Sequence, residues 1–236
     1  MNKHHSKILK EIKNNAEKKS KEEKAWVKKY MGTDKAFYCI KSDIKKKIAK
    51  DWIKENKDIF ISDYRELLSG LFDGKSHEEI AIAAKILEFT PKLRKKLEPK
   101  IIDKWLNNSK GWGEVDSICQ SNFSAEEILN NWTRWRGLII GLSKDKNIHK
   151  RRASLVLLTK SARTSNDERI KSLSYKIIDT LKKERDILIT KAVSWLLRSL
   201  AEQNPKKVRV YLENNKDVLP KIAIRETSRK ILTGKK

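Results

Sequence analysis

The sequence is short of residues that interrupt helices. Its 236 residues include 8 glycines and 4 prolines, too few for the many tight turns of a β-sandwich or barrel. Two cysteines, Cys39 and Cys119, exclude a disulfide framework and a four-cysteine zinc site. The four histidines, His4, His5, His77 and His149, show no metal-ligand spacing, so neither a metal nor another cofactor is expected. No apolar run approaches the roughly 18 residues of a membrane span. The N-terminal MNKHHSKILKEIKNN has charges where a signal peptide needs an apolar stretch. A reduced, cytoplasmic protein with no membrane contact is the expectation. GLIIGLSK (137–144) has two glycines but lacks the GK[ST] ending of a phosphate loop, and no HExxH or Ser-His-Asp order occurs.

Positive charge is what the chain has in excess. Fifty-five Lys and Arg oppose 31 Asp and Glu, for a formal net charge of +24. A field of that sign attracts polyanions such as nucleic acid, an anionic membrane surface or an acidic protein. The plain alternative is a solvated, lysine-rich surface. Apolar residues are spread along the whole length, so the chain is expected to fold throughout.

Nearly every segment has helical periodicity. Apolar stripes include Ile44, Ile48, Trp52 and Ile53; Tyr64, Leu67, Leu68 and Leu71; Ile80, Ala83, Ala84 and Leu87; Ile170, Leu173, Ile177 and Leu181; and Ile222, Ile224 and Ile231. Ser-x-x-Glu occurs at Ser20/Glu23, Ser76/Glu79, Ser124/Glu127 and Ser165/Glu168, each placed to cap a helix start. Gly74, Pro91, Pro205 and Pro220 mark expected stops. The rhythm predicts about a dozen short helices joined by short links. Such paired helices suggest an all-α, α-α superhelix or solenoid of HEAT-like repeats, curved around a concave basic cleft; an irregular helical bundle is the alternative. A single domain over 1–236 is expected, with 1–20 as a loosely attached N-terminal helix.

Three clusters could carry chemistry. In Lys110-Gly111-Trp112-Gly113-Glu114-Val115-Asp116, Trp112 and Asp116 are four apart and share one helix face. An aromatic plate beside a carboxylate suits a sugar that gains positive charge; a packed Trp and a solvated Asp is the bland reading. His149, Lys150, Arg151 and Arg152 place four potential cations at a helix start, against the helix dipole, where an anionic phosphate would relieve the cost. A basic face with snorkelling side chains is the alternative. Trp195 lies on the stripe Leu188, Ala192, Trp195 and Ser199, which ordinarily means core.

Together the clusters resemble the AlkD-type DNA alkylation repair enzymes, alkylpurine DNA glycosylases built from HEAT-like repeats. The likeness runs from AWVKKYMGTDKAFYCIK through GWGEVDSI, NIHKRRASLVLL and ITKAVSWLLRSLAEQNP to RETSRKIL. The resemblance implies that Trp112 and Asp116 are the active-site tryptophan and the catalytic aspartate. It implies that Trp195 is the second cleft tryptophan, Arg152 a phosphate contact and Tyr30 a residue near the bound DNA. Arg151, Lys150 and His149 join Arg152 as expected DNA contacts. The chain departs from the family at Gly111 and Gly113, where a Trp-Trp-Asp run is usual, and the two glycines predict a looser Trp112. His149 stands where the family often has tryptophan. The implied partner is double-stranded DNA with alkylated bases, bound by a monomer. The rival readings are a non-catalytic HEAT-repeat protein that recognises distorted or branched DNA and a HEAT scaffold for an acidic protein.

Overall fold

The computed structural model describes residues 2–120 and 122–234. Among these residues the structure is all-α, with fifteen helices and no β-strand; the one extended pairing is an isolated bridge from Ala36 to Ser76. The count exceeds a dozen because three pieces are very short: Pro91–Arg94, Ile101–Trp105 and Ala125–Asn130. The chain forms two compact units, Met1–Ile118 and Cys119–Lys236.

The first unit contains α1 (Lys3–Asn14), α2 (Lys21–Met31), α3 (Ser42–Glu55), α4 (Ile61–Phe72), α5 (His77–Phe89), α6 (Pro91–Arg94), α7 (Ile101–Trp105) and most of α8 (Gly111–Cys119). α5 is its central helix and packs on α1, α3 and α4. The stripes Tyr64, Leu67, Leu68, Leu71 and Ile80, Ala83, Ala84, Leu87 are all buried there, each large side chain stabilising the fold by about 1.5–3 kcal/mol. α1 is tied in by buried Ile8 and Ile12 and by His5 Nε2, 2.7 Å from Glu79 Oε1.

The second unit contains α9 (Ala125–Asn130), α10 (Trp132–Ser143), α11 (Ile148–Thr164), α12 (Glu168–Leu181), α13 (Ile187–Ala201), α14 (Pro205–Asn214) and α15 (Lys221–Thr233). α11, α13 and α15 pack side by side in one layer, and α10 and α12 pack together in another. This two-layer stacking is the arrangement of an α-solenoid of helical repeats. The α12 stripe Ile170, Leu173, Ile177 and Leu181 is wholly buried. In α15 the packed face is instead Ala223 and Thr227, four apart, while Ile222, Ile224 and Ile231 are half-buried.

Three of the four Ser-x-x-Glu sites are reciprocal capping boxes, at Ser20, Ser76 and Ser124. The fourth is not. Asp167 caps α12 by accepting from Arg169 N, and Ser165 instead closes the end of α11. An aspartate two residues after the serine is an equally good cap and one that lies nearer the start of the apolar stripe. The prolines mark boundaries: α5 ends at its C-cap Thr90 directly before Pro91, Pro91 and Pro205 also open α6 and α14, and Pro220 immediately precedes α15. A ring that lacks an N–H costs nothing in a first turn.

Candidate active site

The first unit assembles its site where the end of α2 meets the start of α8. Lys28 and Lys29 lie in the last turn of α2, and Gly32 ends the helix in the left-handed region at φ 72°, with its N–H on Lys28 O. Gly111 opens α8, also left-handed, at φ 65°. A Cβ on Gly111 would stand 1.9 Å from Met31 O and 2.7 Å from Gly32 C and O. Backbone therefore touches backbone, which only glycine permits. Gly113 instead faces a flexible side chain, its added Cβ falling 2.2 Å from Met31 Cε.

This close approach fixes Trp112. Its indole N–H donates to Tyr30 O at 2.7 Å, and its ring meets the Tyr30 ring edge-on, centroids 5.2 Å apart at 85°. The expected loosening of Trp112 is not what the glycines produce. They admit α2, and α2 supplies the indole's acceptor and its aromatic neighbour. Trp112 is half-buried and Tyr30 is 59 % exposed, so the aromatic surface is open on one side.

Asp116, one turn further along α8, is only 8 % exposed. It is thus not a solvated surface aspartate. A carboxylate held in a low-dielectric setting acts strongly on a nearby developing positive charge. Glu114 is fully buried and serves a different purpose. It accepts from Thr33 Oγ1, from Lys110 N at 3.0 Å, and lies 4.0 Å from Lys35 Nζ. Burial nonetheless raises its pKa above the usual carboxylate value. Glu114 braces the α2–α8 junction on the inside, and Lys110 to Asp34 at 2.5 Å braces it at the surface. Sequence reasoning gave Glu114 no role, because its main partner is 81 positions away. The αL stop at Gly32 was readable from Lys28, Lys29 and the following glycine.

The second unit holds the remaining expected residues, which it distributes over α11 and α13. Asn147 caps α11 by accepting from His149 N at 2.9 Å. His149 is half-buried. Lys150 is buried, 3.6 Å from Asp145 Oδ2. Arg151 is bidentate to Glu184, at 2.8 and 3.1 Å, and also reaches the Asp145 and Lys146 carbonyls. Arg152 is 5 % exposed, and its Nη1 donates to Leu188 O at 2.6 Å. Two carboxylates and three backbone carbonyls thus offset much of the unfavourable charge at this helix start. Trp195 is half-buried, while Ala192, Leu196 and Ser199 beside it are buried. Its neighbour Ser194 donates to Glu226 Oε2 at 2.6 Å, and Arg198 lies 3.4 Å from the same oxygen. Among the described residues no three His, Cys, Asp or Glu side chains gather as a metal site, and no helix is long and apolar enough to cross a membrane.

Fold and site together define a class: a helical-repeat protein with a fixed tryptophan and a buried aspartate on one short helix. The chain belongs to the DNA alkylation repair enzyme family, whose model matches residues 8–231. That membership assigns it a role in DNA repair. In fold it is similar to a predicted DNA alkylation repair enzyme from Enterococcus faecalis. The TM-score is 0.74 at 21 % identity over 92 % of this chain and 98 % of that one. No curated protein sequence matches the chain.

Proposed function

We propose that the protein is a DNA glycosylase that hydrolyses the N-glycosidic bond of cationic alkylated purines, N7-methylguanine and N3-methyladenine, in duplex DNA. The observation that carries this reading is Asp116, nine-tenths buried on the helix that also presents the fixed indole of Trp112. A base with a formal positive charge is already a good leaving group. As the C1′–N bond breaks, its electron pair neutralises the purine and the sugar takes on positive charge, as in other glycoside hydrolyses. Asp116 stabilises that sugar and orients the attacking water, which bonds to C1′ and gives up a proton. Trp112 offers its electron-rich face and excludes solvent.

Trp195, on α13 of the second unit, is a further candidate catalytic indole. Arg152 contacts a backbone phosphate, with Arg151, Lys150, His149 and Tyr30 as further DNA contacts. The remaining lysines supply sequence-independent affinity. The protein acts as a cytoplasmic monomer without a cofactor.

The assay compares lesions of different charge in one duplex. Release of N7-methylguanine and N3-methyladenine, with little release of hypoxanthine or uracil, is the expected result. Only Asp116 stands at the expected position, and it must stay ionised, so nothing protonates a neutral leaving group. Efficient release of a neutral base would refute this mechanism, and His149→Ala would then test for a general acid. Salt-dependent duplex binding without any base release would leave a DNA-binding protein in place of an enzyme.

A further inference from the structure

The first unit gathers positive charge on two helices outside the site just described. Lys46 and Lys50, one turn apart on α3, and Lys85 on α5 each place Nζ within 6.0 Å of the centroid of one ring, that of Phe89. Phe89 is half-buried on α5, which packs on α3, and Lys46 and Lys50 are exposed. The ring attracts the ammoniums through its electron-rich face but brings no negative charge. Lys85 has a carboxylate partner, Glu88, at 2.8 Å. Among the described residues no carboxylate pairs with Lys46 or Lys50, and like charges one helical turn apart repel. The other acids of the two helices are placed elsewhere. Asp43 lies in the first turn of α3. Asp51 and Glu55 line the groove that α3 shares with α1, where Glu55 pairs with Lys7. Glu78 and Glu79 are buried at the start of α5. Desolvation lowers the pKa of neighbouring Lys45, and the Lys85 charge lowers it further against the pull of Glu78.

We infer that Lys46, Lys50 and Lys85, gathered on the Phe89 ring, are a clamp for the phosphate backbone of duplex DNA. The inference rests on the reading of the protein as one that acts on DNA, and extends it to a face of α3 and α5 that carries none of the site residues. Chemistry narrows the partner. An ammonium is a point charge that suits a phosphate oxygen from many directions, whereas the fork that matches a carboxylate is arginine. Neither α3 nor α5 contains an arginine, which disfavours an acidic protein. A membrane surface is held by exposed apolar anchors as well as by charge. α3 and α5 expose no large apolar side chain, and Ile48, Ala49 and Trp52 of α3 are buried. Membership of a DNA repair family supplies the polyanion that remains. Lysine stems that already converge on one ring lose less freedom when they bind. Phosphate contacts carry no sequence information, so the clamp holds damaged and intact duplex alike.

The test uses the full chain and a labelled duplex, with and without alkylated bases. Fluorescence anisotropy reads the affinity and its salt slope between about 50 and 200 mM salt. Lys46→Gln combined with Lys50→Gln is expected to lower the slope by about 2, for two lost phosphate contacts. Across that salt range the variant should then lose about tenfold less affinity than wild type. Both duplexes should weaken alike. Glu88→Gln, which releases Lys85, should strengthen binding and steepen the slope by about 1. Lys10→Gln combined with Lys13→Gln removes the same charge from exposed positions of α1 and should leave the slope close to wild type. All the variants should melt near wild type, since no fully buried side chain is changed. An unchanged slope in the α3 variant, an equal fall in the α1 variant, or no gain in Glu88→Gln overturns the inference while leaving the proposed function standing. A wild-type protein that binds no duplex removes the proposed function itself. Binding to phosphatidylserine vesicles or polyglutamate that depends on Lys46 and Lys50, with duplex binding untouched, would assign the cluster to a lipid surface or an acidic protein and overturn the inference.

Discussion

Gly111→Ala is the perturbation that bears most directly on how the site is built. The glycine has φ 65°, and placing any other residue in that region costs about 1–2 kcal/mol. The new Cβ would also stand 1.9 Å from Met31 O and 2.7 Å from Gly32 C and O. These are backbone atoms, so no rotamer change relieves the overlap and the end of α2 must move. Forced repacking of that kind costs a further 1–3 kcal/mol or so. The total, about 2–5 kcal/mol, corresponds to a Tm fall on the order of 10 °C for a chain of this length. Moving α2 also breaks the Trp112 Nε1 to Tyr30 O bond, so the indole N–H should lose its protection from solvent exchange. Gly113→Ala is the built-in comparison. Its Cβ meets only the mobile tip of Met31, and the variant should melt close to wild type. Gly137 and Gly141, inside α10, have nothing within 4 Å of an added Cβ. Alanine at either position should raise stability by up to about 1 kcal/mol through helix propensity. Thermal denaturation and amide and indole exchange decide the matter. A Gly111→Ala protein that melts with wild type, or a Gly113→Ala protein equally damaged, would refute the close-approach argument.

Three further outcomes follow from the burial pattern. Arg152→Ala should weaken binding to damaged and intact duplex alike and reduce the salt slope by about one phosphate contact. It should also cost stability, because Leu188 O loses its donor; an unchanged salt slope with early melting would make Arg152 purely structural. Trp195→Ala should lower activity while costing less than the roughly 3–5 kcal/mol of a fully buried aromatic, since the ring is half-buried; full turnover in the folded variant would assign Trp195 to packing. His77 is buried, with its pKa lowered from 6.5 to about 4 by desolvation and by nearby Lys45. Its contribution is whole above pH 6.5 and is lost as pH falls toward 4, about 3 kcal/mol in all. His77→Gln should flatten that part of the stability–pH profile, and identical profiles would refute the assignment.

Local signals were legible in the sequence and distant ones were not. The capping boxes at Ser20, Ser76 and Ser124 need only a serine and a glutamate three residues apart, so they read directly. Ser165/Glu168 misled because Asp167 offers the same chemistry nearer the helix. The buried stripe of α12 follows from its period alone. The restraint of Trp112 does not, because it depends on a backbone contact between Gly111 and the Met31–Gly32 turn, about eighty positions upstream. Arg151 looked like an uncompensated cation until α11 and the chain beyond α12 brought Glu184, 33 positions on, against it. The i, i+4 spacing placed Trp112 and Asp116 on one helix face, and the family resemblance supplied their expected roles.

The central claim is that Asp116 drives glycosidic cleavage of a cationic purine, and single-turnover release of N7-methylguanine from alkylated duplex tests it most directly. Wild-type protein and Asp116→Asn are compared at saturating enzyme, with Tm and duplex affinity measured on the same samples. The account predicts release by wild type and a rate about 10²–10³ lower in the variant, the usual loss when one preorganised electrostatic group is removed, with duplex affinity retained. No release by wild-type protein, or a wild-type rate in Asp116→Asn, would contradict it.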